Sequence, residues 1–398
     1  MAREAFAYTR RSVMQMAAGG VSAAVLVGLT GGCEALFEQI KNRPVRRDID
    51  TLSPSDPIIQ TFRDGVDKMK KLATSDPRNW IAQADIHKNW CPHGNWYFLP
   101  WHRAYLFYFE KIIQKLTGNK DFGLPYWNWQ ANPKVPQAFW GGASNPLFHT
   151  PRAATPTSSA PASAVGPSVI ENILSIPETD FFLFASQKST TQRGFSAFGE
   201  LEGTPHNTVH GFVGGDMGYV PTAARDPVFW AHHCMVDCIW AEWNIGRKQR
   251  NTSDSAWLNF TFSGNFVDAD GAPVDITVAA TILMPLLAYR YEITQKGTQP
   301  TAEEIDARAI ADLRRFIQAG IPSLTVPPKP FLRFDQVELA LGEPGAVLAV
   351  PAAPLREVIS SHTDNRIVLS LGGMRIPEVG NFFVRVFLGM WKLPRTHR

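Results

Sequence analysis

The sequence predicts a mainly α-helical domain followed by a small β-rich domain. Residues 58–73 have the apolar periodicity of an amphipathic helix, and aromatic-rich segments with helical spacing follow within 80–115 and 227–245. Beyond residue 331, short runs of alternating apolar and polar residues are typical of strands. Because 44% of the 398 residues are hydrophobic, the chain can bury one large core, or two cores of unequal size.

The first 33 residues predict an export signal that is absent from the mature protein. Arg10 and Arg11 form a twin-arginine pair, and a weakly apolar run rich in glycine and alanine follows them. The glycine and serine content of this run, together with its length, disfavours a membrane helix. We therefore expect a periplasmic or secreted protein that has no stable membrane insertion once the signal is removed.

The remaining chain divides at changes in composition. Residues 34–295 are predicted to form the helical domain, in which a segment rich in proline, serine and alanine at 150–168 predicts a long surface loop. Residues 296–330 are predicted to contain one further helix and a proline-rich linker, and residues 331–398 to form the β-rich domain.

Charge and cysteine content argue against two classes of protein. The net charge is +3 and no dense basic run occurs, so nucleic acid is not expected as a partner. Four cysteines are too few for a disulfide scaffold. Neither quantity indicates an oligomeric state.

Six of the ten histidines form two groups of three, each next to aromatic sequence with helical spacing. Three neutral imidazoles make a trigonal binding site for copper, a metal that imidazole binds well. Zinc also accepts three histidines, so one group alone does not determine which metal is bound. Two such sites facing each other would hold dioxygen between two metal ions. The groups are His87, His93 and His102, and His206, His210 and His233.

Spacing within the second group indicates which histidines share a metal. His206 and His210 are four residues apart, so both imidazoles project from one face of a helix. The adjacent His232 and His233 point about 100° apart on a helix, so one of them is expected to reach the same metal. His233 shares an apolar stripe with Phe229, which favours His233 as the ligand.

Two further residues are candidates for adjusting the ligands. Asp237 lies one turn after His233, where it would fix a ligand's tautomer by accepting a ring N–H. Cys91 lies two residues before His93, and a thiol so close to a copper ligand can become oxidatively bonded to an imidazole ring carbon. The alternative is that Cys91 serves as a small buried hydrophobic residue.

These motifs resemble those of the type 3 copper proteins, meaning tyrosinases, catechol oxidases and hemocyanins. FLPWHRAYLFYFE and DPVFWAHHCMVDCIWAEW resemble the two copper motifs, PYWNW looks like a further signature, and HNTVHGFVGGDMG is similar to bacterial and plant polyphenol oxidases. The resemblance covers about residues 45–295. It implies a catalytic domain around a central four-helix bundle that holds two copper ions. The implied ligands are His87, His93 and His102 for the first copper, and His206, His210 and His233 for the second.

The resemblance also implies roles for residues outside the histidine groups. In plant enzymes an arginine packs on the first tyrosine of a Tyr-x-Tyr motif, which here corresponds to Arg46 and Tyr289. Glu202 and Asn207 match a pair that positions a water as a base. The alternatives are a helix N-terminal acid for Glu202 and a surface amide for Asn207.

The expected function is that of a tyrosinase-type polyphenol oxidase, which hydroxylates monophenols and oxidises o-diphenols to o-quinones with O2. Val220, thirteen residues before His233, matches a place where some catechol oxidases carry a bulky phenylalanine. Valine leaves a wider entrance, which favours access of monophenols. The alternatives are a catechol or o-aminophenol oxidase without useful monophenolase activity, or a hemocyanin-like oxygen carrier. The β-rich domain has two alternative roles: it covers the entrance as a lid, or it only stabilises the protein.

Overall fold

The computed structural model describes residues 42–292. The predictions for residues 1–33, 296–330 and 331–398 lie outside the described residues, so the export signal, the linker and the β-rich domain stay predictions. Within the described range, helices predominate and strands are few and short, which confirms the mainly α-helical prediction. No helix between residues 42 and 292 is long and apolar enough to cross a membrane.

Helices of very different length follow one another along most of the described range. The helices are α1 (Pro57–Lys71), α2 (Trp80–Trp90), α3 (Phe98–Thr117), α4 (Ala162–Val165), α5 (Pro167–Leu174), α6 (Phe181–Ala185), α7 (Asn207–Val213), α8 (Val228–Ala241), α9 (Ser255–Leu258) and α10 (Val278–Leu287). The strands are β1 (Val45–Arg46), β2 (Thr261–Val267), β3 (Pro273–Thr277) and β4 (Arg290–Tyr291). Strand β1 pairs in parallel with β4, and β2 pairs with β3 antiparallel. Two π-helical turns, Glu202–His206 and Glu242–Gly246, lie directly before α7 and directly after α8.

Helix α1 shows how local sequence sets the packing of the helices. Asp56 caps its first turn by accepting a hydrogen bond from the Ile58 N–H, and lysines lie in its last turn, as the helix dipole favours. Gly65 lies against Ile113 of α3, where a Cβ would approach the isoleucine to 2.7 Å. Helix α1 therefore packs closely on α3. Its buried side chains repeat at helical spacing and include Ile59, Phe62, Val66 and Met69.

The two central helices, α3 and α8, are buried on nearly all sides. The rings of Phe109 on α3 and Trp230 on α8 stack with centroids 3.5 Å apart. A helix that is apolar all round belongs in a protein interior, so the aromatic sequence around His102 and His233 places these histidines in the core.

The segment 150–168 differs from the predicted surface loop. Helix α4 and the start of α5 lie within it, and Pro161 and Pro167 stand at the two helix starts, where a missing N–H leaves no bond unmade. Ala160 and Val165 are buried. The prediction of a long surface loop is therefore wrong for the second half of this segment, because its small apolar residues pack into the core.

Arg46 joins the two ends of the described chain next to α8. Its guanidinium carbon lies 3.6 Å from the centroid of the Tyr289 ring, which confirms the predicted packing. Its Nε donates to Glu110 at 2.9 Å, and its Nη1 donates to the Tyr291 hydroxyl at 3.0 Å and to Asp237 at 3.2 Å. These bonds explain why an arginine can be fully buried here.

Candidate metal centre

The predicted histidines converge on one buried region. In each of two groups, one ring nitrogen per histidine lies within 4.8 Å of the corresponding nitrogens of the others. The rings of His102 and His233, which belong to different groups, stack with centroids 4.3 Å apart and planes inclined by 5°. The two groups therefore adjoin each other. They consist of His87, His93 and His102, and of His206, His210, His232 and His233.

Backbone carbonyls orient rings of the first group. His87 on α2 donates from Nδ1 to the Val220 carbonyl at 2.9 Å, and His102 on α3 donates from Nδ1 to the Phe98 carbonyl at 2.9 Å. With the proton on Nδ1, the Nε2 lone pair of each ring is available to a metal. His93 lies in the turn between α2 and α3.

The second group is oriented by one side chain and one carbonyl. His206 donates from Nδ1 to Oδ1 of Asn207 at 2.9 Å, and His210 donates from Nδ1 to the Met217 carbonyl at 2.7 Å. The Nε2 atoms of His210 and His233 lie 3.3 Å apart. Because Nε2 of His210 then carries a lone pair, this close approach fits two nitrogens that share a cation.

The chemistry of the ring nitrogens also fits metal binding. Within residues 42–292, the buried Nε2 atoms of His87, His102 and His206 have no hydrogen-bond partner, although buried polar atoms are normally satisfied. Burial lowers the pKa of His93 to about 3 and the pKa of His210 to about 4. These two imidazoles are therefore neutral at neutral pH, which is the form in which histidine binds metals.

His232 belongs to the second group, although its sequence position favoured its neighbour as the ligand. Its Nδ1 accepts a hydrogen bond from the Trp129 indole N–H at 3.2 Å, so the proton of the neutral ring resides on Nε2. That Nε2 is buried and has no hydrogen-bond partner in the described part of the chain. His232 therefore presents an N–H rather than a lone pair. Trp129 lies 103 residues away, so no spacing could have shown this contact.

Glu202 and Asn207 both bond to the surroundings of the histidines. Glu202 accepts hydrogen bonds from the Gly94 N–H at 2.8 Å, next to His93, and from the Ser186 hydroxyl at 2.6 Å. Burial raises the pKa of Glu202 to about 8. Glu202 is thus a buried carboxyl rather than an exposed helix-terminal acid, and Asn207 holds a histidine ring rather than facing solvent as a free amide.

Cys91 and Val220 lie beside the first group. The Sγ of Cys91 lies 3.5 Å from Nδ1 of His93, and burial raises the pKa of the thiol to about 12. The Val220 side chain is 46% exposed, whereas its carbonyl bonds to His87. Val220 is therefore an exposed residue whose backbone contacts a ring of the first group.

Asp237 does not orient a histidine ring. Its Oδ1 accepts from Nε of Arg103 at 2.6 Å, and its Oδ2 accepts from the hydroxyls of Tyr289 and Tyr291, each at 2.6 Å. Burial acts to raise the pKa of Asp237, but the charges of Arg103 and Arg46 hold it below the ordinary value. The expectation that Asp237 accepts a ring N–H is wrong, because arginines and tyrosines occupy both of its oxygens.

Comparison with known proteins finds similarity over the part of the chain that carries both histidine groups. Residues 77–174 and 150–245 match the common central domain of tyrosinase. This part of the chain is therefore similar to the central domain of tyrosinases. The matched range contains every histidine of both groups.

Relatives in the tyrosinase family are similar over part of their length. The tyrosinase HcTyr1 of Hahella sp. (strain CCB-MM4) is 30% identical over 288 residues, which cover 59% of this chain and 61% of the relative. Polyphenol oxidase II of Ipomoea batatas is 30% identical over 282 residues, which cover 59% of this chain and 47% of the relative. The structure of the Grenache (Vitis vinifera) polyphenol oxidase superposes with a TM-score of 0.56 at 26% identity, covering 64% of this chain and 86% of that one. The chain thus spans less than two thirds of these two curated relatives.

The tyrosinase family has a dinuclear copper centre, and the two histidine groups fit such a centre. The fit rests on two adjoining sets of rings, in which the Nδ1 hydrogen bonds of His87, His102, His206 and His210 leave the Nε2 lone pairs available to a metal. His232 is the exception, because its Nδ1 is the acceptor.

Proposed function

We propose that this chain is a copper-dependent phenol oxidase of the tyrosinase type, which hydroxylates monophenols and oxidises o-diphenols to o-quinones with O2. The observation that carries the proposal is the meeting of two buried histidine groups across the stacked rings of His102 and His233. Small phenols and O2 are the proposed substrates. The proposed ligands are His87, His93 and His102 for the first copper, and His206, His210 and His233 for the second.

The chain's own residues prepare this centre. Bound copper would supply the redox capacity to reduce O2 while a phenol is oxidised. The carbonyls of Phe98, Met217 and Val220 and the amide of Asn207 hold the Nδ1 protons of four rings, so that their Nε2 atoms face inward. Burial of the rings keeps bulk water away from the reacting atoms.

Glu202 is proposed to activate the water that accepts the proton of a phenol. Its pKa of about 8 lies near neutral pH, where a carboxylate is most effective as a general base. The hydrogen bonds from Gly94 and Ser186 fix the carboxyl beside the turn that carries His93, and each oxygen retains a lone pair. Together with Asn207, Glu202 would hold a water that takes the proton of the phenol.

Val220 is the proposed entrance residue. Its exposed side chain is smaller than the phenylalanine that some catechol oxidases carry at the matching place, so a monophenol can approach the first group. Val220→Phe is therefore expected to lower monophenol oxidation more than catechol oxidation. Ile81→Phe, on α2 at a position of nearly equal exposure, is the control and is expected to leave both rates unchanged.

Copper content and substrate range of the full-length protein test the proposal. We expect two copper ions per chain, oxidation of catechol, and oxidation of tyrosine, tyramine or 4-hydroxybenzoate after a lag. Turnover of catechol or o-aminophenol without any monophenol would show a catechol or o-aminophenol oxidase instead. Reversible O2 binding without phenol oxidation would show an oxygen carrier. Zinc-loaded protein is the control and should oxidise none of these substrates.

A further inference from the structure

We propose that residues 214–220, here called the orienting loop, position one imidazole of each histidine group, and that the pair formed by His149 and Asp216 anchors this loop. His149 and Asp216 are positioning residues, because they act on the rings through the loop. This rests on the proposed function, since the oriented imidazoles are treated as copper ligands.

The orienting loop offers two carbonyls to histidine rings. Met217 accepts from Nδ1 of His210 at 2.7 Å, and Val220 accepts from Nδ1 of His87 at 2.9 Å. The two rings belong to different groups. One short loop therefore sets the tautomer and the rotation of one ring in each group, which is the role that outer hydrogen-bond partners have in metal sites.

Two glycines bring the orienting loop against residues 150–153. Gly214 and Gly215 have φ values of 64° and 57°, a left-handed conformation that favours glycine. A Cβ on Gly215 would overlap the Pro151 carbonyl oxygen, and a Cβ on Gly214 would lie 2.5 Å from Cβ of Ala153. The start of the loop is therefore packed closely on this segment.

His149 holds the middle of the orienting loop. Its Nε2 lies 2.7 Å from Oδ2 of Asp216, the residue directly before Met217. The Thr222 hydroxyl donates to the Asp216 carbonyl at 3.1 Å and lies 3.3 Å from the Tyr219 carbonyl. Because Met217 directly follows Asp216, release of the Asp216 side chain is expected to move the adjacent Met217 carbonyl.

The segment that carries His149 is itself fixed to α8. Arg152 and Asp226 form a buried bidentate ion pair with distances of 2.7 and 2.6 Å. Oδ1 of Asp226 also accepts from the Val228 N–H at 3.0 Å, at the start of the helix that carries His233. The segment that packs against the orienting loop is therefore bonded, through Asp226, to the start of the helix that carries His233.

The ion pair between Arg78 and Asp76 has a similar exposure and offers a matched control. The side chains of His149 and Asp216 are 21% and 29% exposed, and those of Arg78 and Asp76 are 22% and 21% exposed. The latter pair lies before the start of α2, outside the orienting loop. Partly exposed pairs contribute little to stability, so the loss of either pair is expected to leave the protein folded.

Copper release from the full-length protein gives the first test. Asp216→Ala and His149→Phe are expected to release copper to a chelator roughly tenfold faster than wild type, the lower end of the effect of lost outer partners. Asp216→Asn keeps an acceptor and is expected to stay near wild type, as is the Arg78→Ala control. An unchanged release rate in Asp216→Ala and His149→Phe would overturn the proposal.

Ring N–H signals in proton–nitrogen NMR of the reduced copper protein separate positioning from general loosening. In Asp216→Ala, the Nδ1–H signals of His87 and His210 are expected to shift and broaden, whereas those of His102 and His206 are expected to stay. Unchanged signals from the first two rings, or equal changes in all four, would overturn the proposal. Wild-type protein that takes up no copper would refute the proposed function instead, and the ring signals of the protein would still decide on the anchor.

Discussion

The indole N–H of Trp129 donates a hydrogen bond to Nδ1 of His232 at 3.2 Å. This bond puts the proton of the neutral His232 ring on Nε2, although the ring lies among the nitrogens of the second histidine group. With His233 as the proposed ligand, the tautomer rather than distance therefore keeps His232 from competing for the metal.

Replacing Trp129 by phenylalanine removes this constraint on His232. We expect Trp129→Phe to bind the second copper in more than one arrangement and to oxidise catechol roughly tenfold more slowly. Copper stoichiometry and catechol kcat measure the effect. Trp127→Phe is the matched control, because the Trp127 indole is equally buried but donates to the Asn132 carbonyl at 2.9 Å. Equal losses in the two variants would show that packing alone is responsible.

Replacing Glu202 by glutamine keeps the size of the side chain and removes its ability to take a proton. We expect kcat/KM for a monophenol to fall about a hundredfold or more, the usual contribution of a general base. Catechol oxidation is expected to change less. Glu200→Gln, at an exposed position two residues earlier, should leave both values unchanged. A parallel loss on both substrates in Glu202→Gln would contradict a role specific to phenol deprotonation.

Glu202 also predicts how stability depends on pH. Burial raises its pKa from 4.5 to about 8, so between these values the folded protein holds a proton that the unfolded chain has released. The contribution of Glu202 to the free energy of unfolding is therefore complete below about pH 4.5 and is lost as pH rises to about 8. Urea unfolding of metal-free protein should show a steeper decrease over this range for wild type than for Glu202→Gln. Two parallel curves would count against the raised pKa.

Features set by local geometry could be predicted from the sequence. The four-residue spacing of His206 and His210 predicts one face of a helix, and α7 with its preceding turn provides it. The packing of Arg46 on Tyr289 followed from resemblance to plant enzymes and is confirmed. The helical segment within 150–168 was missed, because proline and small residues are common to loops and to helix starts.

Partners from distant parts of the chain could not be predicted. The ring of His87 is oriented by Val220, which lies 133 residues away, and Asp237 accepts from Arg103 at a separation of 134 residues. Such contacts depend on how helices and loops pack, and the spacing of residues in the sequence carries no information about them. For the same reason, the sequence could not predict the hydrogen bond from Trp129 that sets the His232 tautomer.

Asp237 compensates two buried arginine charges, those of Arg46 and Arg103. Without the carboxylate, Arg103 loses its ion pair and Arg46 keeps only Glu110, so Asp237→Ala is expected to lower the free energy of unfolding by about 3–5 kcal/mol. Asp67→Ala, which removes an exposed pair with Lys71, is expected to change it by less than about 1 kcal/mol. Denaturant unfolding measures both variants. An unfolding midpoint of Asp237→Ala equal to that of wild type would refute the structural role of this carboxylate.

The Sγ of Cys91 lies 3.5 Å from Nδ1 of His93, close enough for the sulfur to reach the imidazole ring. Formation of a thioether breaks the S–H bond and a ring C–H bond and releases two protons and two electrons, which O2 would accept in the copper-loaded protein. Burial raises the pKa of the thiol to about 12, so the reactive thiolate is scarce near neutral pH and we expect no bond without copper. The intact mass of copper-loaded, O2-exposed wild type should therefore be lower than that of the copper-free protein by two hydrogen atoms. Cys238→Ala should show the same loss of mass, and Cys91→Ala should not. If active wild-type protein keeps the full mass, Cys91 serves only as a buried side chain.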